Sequence, residues 1–157
     1  MHINPDNFLE TANGRLFTYE RNNEAWKCSY RAFHQALAHA DSDTEIYVLV
    51  GAQGSGKSTW AARLDSDRAN VIIFDALLVK YRERIPILAA AESKRLKTIA
   101  VWFRTPLEVC LARNAARAAD ELVPEQAVRN VYVAIEPPTR AEGFERVIQV
   151  YPVEADA

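Results

Sequence analysis

Gly51-Ala-Gln-Gly-Ser-Gly56-Lys57-Ser58 spaces two glycines so that a lysine and a hydroxyl residue follow the second one directly. Each position suits the binding of a phosphate chain. Gly51 and Gly56 let the backbone curl into a nest of inward-facing N–H groups. Gln53, Gly54, Ser55 and Gly56 would lend that nest their amides. A helix starting near Lys57 would add its positive N-terminal end, with Thr59 in its first turn. Lys57 supplies a point charge for the β- and γ-phosphates, and the Ser58 hydroxyl is a hard oxygen ligand for Mg²⁺. A chance glycine-rich turn is the bland alternative. It is disfavoured because the motif lies between an apolar strand-like run, Ile46–Val50, and a helical stretch.

Val71-Ile-Ile-Phe-Asp75 ends a second apolar run in a carboxylate. A carboxylate so placed reads as a Mg²⁺ ligand, ahead of a helix cap. Asp75 is the best available carboxylate for a general base as well, though it would hardly fill both roles at once. Arg113 and Arg117 are four apart, so they share a helix face. They read equally as dipole-matching surface charges and as lid cations over the phosphates. Lys80, Arg82, Arg84, Lys94, Arg95 and Lys97 outnumber the nearby acids and read as a solvated face. His2, His34 and His39 form no ligand constellation. Trp60 and Trp102 read as packing residues.

Elements must position these groups. Apolar runs at Ile46–Val50, Val71–Phe74 and Thr98–Phe103, with a last strand at Arg146–Tyr151, alternate with helical stretches. That alternation implies an α/β fold, a small mostly parallel sheet of about four to five strands flanked by helices in three layers. Arg15–Glu20 reads as a short edge strand. Asn22 or Asn23 would cap an amphipathic helix over 24–40, marked by Trp26, Tyr30, Phe33 and Leu37. Residues 1–14 read as a polar arm. Pro86 implies a loop followed by a helix over 84–96. Thr105-Pro-Leu-Glu108 reads as a capping box opening a helix to Arg117, and Pro124 opens another to Ile135. Residues 1–45 are thus an N-terminal extension, and 46–157 a phosphate-loop domain.

Composition narrows the function. With 157 residues, of which 49% are hydrophobic and 25% charged, the chain has one domain's worth of core. A net charge of −2 argues against a basic nucleic-acid or membrane coat. No membrane-length apolar run and no secretory leader are visible, so the cytoplasm is expected. Two cysteines, Cys28 and Cys110, build no disulfide framework.

The stretch GAQGSGKSTW (Gly51–Trp60) resembles the opening of the kinase domain of polynucleotide kinases. It is similar too to zeta-toxin-like and AAA-type small ATP-binding proteins. FRTPLEVCLARNAAR (Phe103–Arg117) resembles that family's strand, helix and arginine-bearing lid. VPEQAV (Val123–Val128) and EPPTRAEGFERVIQV (Glu136–Val150) resemble its C-terminal part. The likeness covers residues 46–151. It implies a P-loop NTPase fold, ATP and Mg²⁺ as ligands, and Arg113 and Arg117 as lid arginines contacting the ATP phosphates. It also implies transfer of the γ-phosphate to a hydroxyl acceptor, a small molecule or a nucleic-acid 5′ end. The family's Asp-x-x-Arg unit, whose Asp is the base for the acceptor hydroxyl, is missing between Leu64 and Asp75. Asp65-Ser-Asp-Arg68 fits the pattern but reads first as a link. The absence makes an ATP-hydrolysing or ATP-sensing module the alternative. An interaction protein with a vestigial site is a third reading. The helix at 24–40 is expected to cover the surface the missing unit leaves.

Overall fold

The computed structural model describes residues 1–152. Five strands form one parallel sheet: β1 (His2–Ile3), β4 (Glu45–Val50), β5 (Val71–Asp75), β6 (Lys97–Phe103) and β7 (Arg146–Val150), in the order β1-β5-β4-β6-β7. The helices are α1 (Tyr19–Ala38), α2 (Lys57–Asp67), α3 (Tyr81–Ser93), α4 (Leu107–Ala115) and α5 (Glu125–Ala134). A two-residue-per-arm hairpin of β2 (Glu10–Thr11) and β3 (Gly14–Arg15) follows a 3-10 turn over Pro5–Leu9. The arrangement is that of the P-loop NTPase fold.

The central strands are apolar on both faces because both are covered. Ile46, Val48, Val50, Ile72 and Phe74 face one layer with Phe33 and Leu37 of α1 and Ile87 of α3. Tyr47, Leu49, Val71, Ile73 and Val101 alternate to the other face, against Ala61, Trp60 and Leu64 of α2. Trp26, Tyr30 and Phe33 crowd Phe74, with ring centroids 5.6–6.3 Å apart. Helix α1 therefore covers β5.

Several local expectations change. Helix α1 starts earlier than 24, because the Thr18 hydroxyl accepts the Arg21 N–H and caps it. The strand expected at Arg15–Glu20 shrinks to β3, and the expected polar arm contains β1. Pro86 lies inside α3 rather than ahead of it. Its ring sits in the second turn, where the missing N–H forfeits only the bond to Arg82. Thr105 does not cap α4; its hydroxyl donates to the Ser55 carbonyl at 2.8 Å. Helix α4 ends at Ala115, so Arg117 lies just beyond it rather than on its face.

Arg84 departs furthest from the expected solvated face. Its side chain has no exposure, and its Nε donates to Glu142 at 2.8 Å. Its Nη groups donate to the carbonyls of Leu78 and Glu136, both at 3.0 Å. Glu142 also accepts the Thr139 N–H at 2.7 Å. One buried guanidinium thus binds the Glu136–Gly143 segment to α3 and the exit of β5. Removing it strands a nearly buried carboxylate and orphans two carbonyls. Arg84→Ala should therefore cost about 3–5 kcal/mol of stability by denaturant titration, whereas Arg82→Ala should be nearly silent.

Candidate functional site

Parallel strands all exit at one edge of the sheet, and in open α/β sheets that edge is where ligands bind. At this edge the loop Gly51–Gly56 leaves β4 and enters α2. Gly56 occupies the helix N-cap with φ 102°, in the left-handed region, and no side chain caps the helix. The first N–H groups of α2 are consequently left for an anion. Gly54 has φ 79°, and a Cβ there would collide with the Cys110 carbonyl of α4. The loop is thus pressed against α4, with Thr105 fastening Ser55 from below.

Two polar atoms in the loop are buried without a partner: Gln53 Oε1 and Ser55 Oγ. Such groups carry a desolvation cost unless a ligand satisfies them. Lys57 turns its ammonium onto the loop itself, donating to the Gly51 carbonyl at 2.8 Å and the Ala52 carbonyl at 3.0 Å. Withdrawal from water, with the Arg117 charge nearby, pushes its pKa down, while Asp75 opposes this. A bound polyanion would relieve both strains.

The β4–β5 register sets Leu49 beside Asp75 and so brings that carboxylate next to the start of α2. Asp75 is 2% exposed. Its Oδ2 accepts from the Ser58 hydroxyl at 2.7 Å and from Asn4 Nδ2 at 3.1 Å, and lies 2.8 Å from His2 Nε2. Burial pushes the carboxyl pKa up, but the bond to His2, the Lys57 charge and the Ser58 hydroxyl outweigh it and hold the group below its ordinary value. Asp75 is therefore an anion at neutral pH.

His2 and Asn4 are the site residues that sequence reasoning missed. Strand β1 pairs with β5, His2 beside Ile73 and Ile3 beside Phe74, which carries Asn4 to the level of Asp75. Only the pairing of the first strand to a strand some seventy residues later could have revealed it. Among the described residues, no cluster of three or more His, Cys, Asp or Glu forms a self-sufficient metal site. The Ser58–Asp75 pair fits Mg²⁺, a cation that takes one or two protein oxygens and fills its sphere with phosphate oxygens and water.

Two cavities open from this centre. One, of about 470 Å³, runs along the loop and is lined by Gly54–Trp60, Arg63, Arg113 and Arg117, ending at Val150, Tyr151 and Pro152. It contains the loop residues from Gly54 to Thr59 and both arginines, and Arg113 Nη1 lies 3.4 Å from the Gly54 carbonyl. Gly51 lies beneath the loop, where a Cβ would meet Ser55 Oγ at 2.5 Å. The second cavity, of about 550 Å³, lies on the other side of Lys57, Ser58 and Arg117 and includes Gln53 and Asp75. Asp65 and Arg68 belong to neither. Asp65 holds the Met1 amino group at 2.7 Å and Arg68 holds Glu45 at 2.7 Å, on the opposite edge of the sheet.

A family model described as an AAA domain matches residues 64–138. The matched region starts inside α2, beyond the phosphate loop, and runs through β5, β6, α4 and α5. No curated protein matches the chain. No helix among the described residues is long and apolar enough to cross a membrane. The fold, the loop and this similarity support a P-loop nucleotide-binding module of the kinase-like kind.

The crowding of Gly54 gives a direct test. Gly54→Ala forces a Cβ into the left-handed region, which costs about 1–2 kcal/mol before the clash with α4 is counted. The melting temperature should fall by at least ~2–4 °C, and nucleotide affinity, read by calorimetry, should fall with it. An unchanged affinity would mean the loop's curl is not what holds the anion.

Proposed function

We propose that the chain is an ATP-dependent phosphotransferase that passes the γ-phosphoryl group to a hydroxyl acceptor. The observation that carries this reading is the meeting of two separate cavities at Lys57, Ser58 and Arg117. A nucleotide hydrolase or sensor needs only the first. In this reading ATP lies along the first cavity, with its triphosphate on the loop amides and the α2 N-terminus. Lys57 leaves the Gly51 and Ala52 carbonyls for the phosphates. Arg113 and Arg117 neutralise charge that builds on the transferring group. Ser58 and Asp75 would hold Mg²⁺, which supplies further charge neutralisation and fixes the phosphate geometry when bound. His2 and Asn4 would hold the Asp75 carboxylate in place for that role. Catalysis is then mostly alignment and charge compensation.

No guanine-reading motif is present in the sequence, and ATP is the proposed donor. The alternative, a module that hydrolyses ATP without an acceptor, is favoured by one observation: the absent Asp-x-x-Arg unit. Incubation with γ-labelled ATP separates the two. Label appearing on an added hydroxyl compound supports transfer, and free phosphate alone supports the module.

Two substitutions test the donor half. Lys57→Ala should remove measurable ATP binding by calorimetry while leaving the circular dichroism spectrum unchanged. Arg117→Ala should lower turnover at least about tenfold while changing ATP affinity far less, the pattern of an interaction made in the transition state. Equal losses in both parameters would make Arg117 a ground-state contact.

A further inference from the structure

The second cavity is built from parts that the phosphate loop does not explain. Its near wall is the N-terminal segment, with Asn4, Asp6, Leu9, Arg15 and Trp26. Its far wall is the 117–127 stretch after α4. At about 550 Å³ it has the volume of a small-ligand pocket. Gln53, whose Oε1 is buried without a hydrogen-bond partner, is among the residues lining it.

Charge decides what that ligand is. The cavity's cations are Lys57, Arg117 and Arg15. The first two border the phosphate cavity as well. Arg15 is already ringed by Glu10, Asp6 and Glu121 at 3.3, 3.6 and 3.7 Å. No cation is left over for an anionic acceptor, while Asp6, Asp120 and Glu121 all face the space. Leu9, Trp26 and Leu77 give it an apolar side.

The carboxylates are not equivalent. Asp75 is buried, and its Oδ2 is engaged by Ser58, Asn4 and His2. Asp120 accepts the Arg15 N–H at 2.8 Å on the far wall. The Asp6 main chain is tied to the reacting centre through Asn4, and its carboxylate lines the cavity 3.6 Å from Arg15 on the same wall. Asn4 Oδ1 accepts the Asp6 N–H at 2.9 Å, and Asn4 Nδ2 lies 3.1 Å from Asp75 and 3.4 Å from Ser58. Its charge also acts on Lys57.

Resting on the phosphotransfer reading above, we propose that this cavity binds a compact, uncharged or amino-bearing alcohol with an apolar flank, and that Asp6 is the general base for its hydroxyl. The acceptor oxygen attacks the γ-phosphorus, and the bond from that phosphorus to the β–γ bridging oxygen breaks. ADP leaves with the electron pair, and the hydroxyl proton passes to the Asp6 carboxylate and then to water. The N-terminal segment thereby supplies both the acceptor wall and the base.

The test uses the full chain with Mg²⁺ and γ-labelled ATP. One set of acceptors is neutral and amino alcohols, such as benzyl alcohol, phenylethanolamine and ethanolamine. The other is anionic: glycerol 3-phosphate and a 5′-hydroxyl oligodeoxynucleotide. Label should pass to the first set only. Asp6→Asn should lower that transfer at least about 100-fold, a loss typical of a missing general base. Its ATP affinity should fall far less than that, since Asp6 acts on the loop only through its charge on Lys57, and Asp6→Glu should recover part of the rate. Transfer confined to the anionic set, full transfer by Asp6→Asn, or phosphate release with no transfer to any acceptor would each overturn the proposal. Absence of ATP binding by the unmodified chain, read by calorimetry in the same preparation, would instead remove the phosphotransfer reading on which it stands.

Discussion

Parallel pairing of β4 with β5 is the constraint on which the site depends. It sets Leu49 beside Asp75, so the strand that launches the phosphate loop and the strand that ends in a carboxylate finish at the same height. Ser58, on the first turn of α2, then reaches Asp75 at 2.7 Å. A shift of one residue would turn Asp75 to the opposite face, into the layer of Phe33 and Ile87. An unpaired carboxylate there would carry a desolvation cost of several kcal/mol. The alternation that packs Leu49 and Ile73 against α2, and Val48 and Phe74 against α1, therefore also fixes the site.

The same edge stores polar groups that the fold alone does not satisfy. Gln53 Oε1 and Ser55 Oγ are buried without partners, Lys57 is folded onto carbonyls of its own loop, and α2 starts without a side-chain cap. Each is a local cost. Elsewhere the chain satisfies buried polar groups with care. Arg84 is completely enclosed yet meets Glu142 and two carbonyls, and Asn114 both donates to and accepts from Val123. The contrast sets the polar groups that hold the fold apart from those that the fold leaves unsatisfied at this edge.

How much of this could be read from the sequence depends on how locally each feature is encoded. The phosphate loop is contiguous, and its glycines, lysine and serine are constrained by backbone geometry within eight residues, so its form and its place after a buried strand were legible. The parallel sheet was legible because both-sided burial leaves unbroken apolar runs. His2 and Asn4 were not, because their role exists only through the pairing of β1 with β5, and a two-residue strand has no periodicity to detect. Arg84 was misread because an arginine among lysines looks solvated until Glu142, 58 residues on, is seen to enclose it. Pro86 was given too much weight as a helix breaker. In the second turn it removes one hydrogen bond, which the packing of Ile87, Leu88 and Ala91 outweighs.

The two walls of the second cavity come from segments about a hundred residues apart, and Arg15 joins them, with its guanidinium 3.7 Å from Glu121. Asp120 accepts the backbone N–H of Arg15, and its carboxylate lies where a Cβ on Gly14 would fall, 2.9 Å away. Gly14 has φ 99°, so the hairpin turn needs a residue without a side chain for its own conformation as well as for Asp120. Arg117 lies three residues before Asp120, on the same short stretch after α4. Anchoring Asp120 to the hairpin therefore limits how far Arg117 can travel from Lys57 and Ser58. A hairpin that looks peripheral in the sequence thus bears on the geometry of the phosphate site, because the stretch carrying Arg117 has its nearest fixed points at the end of α4 and at Arg15.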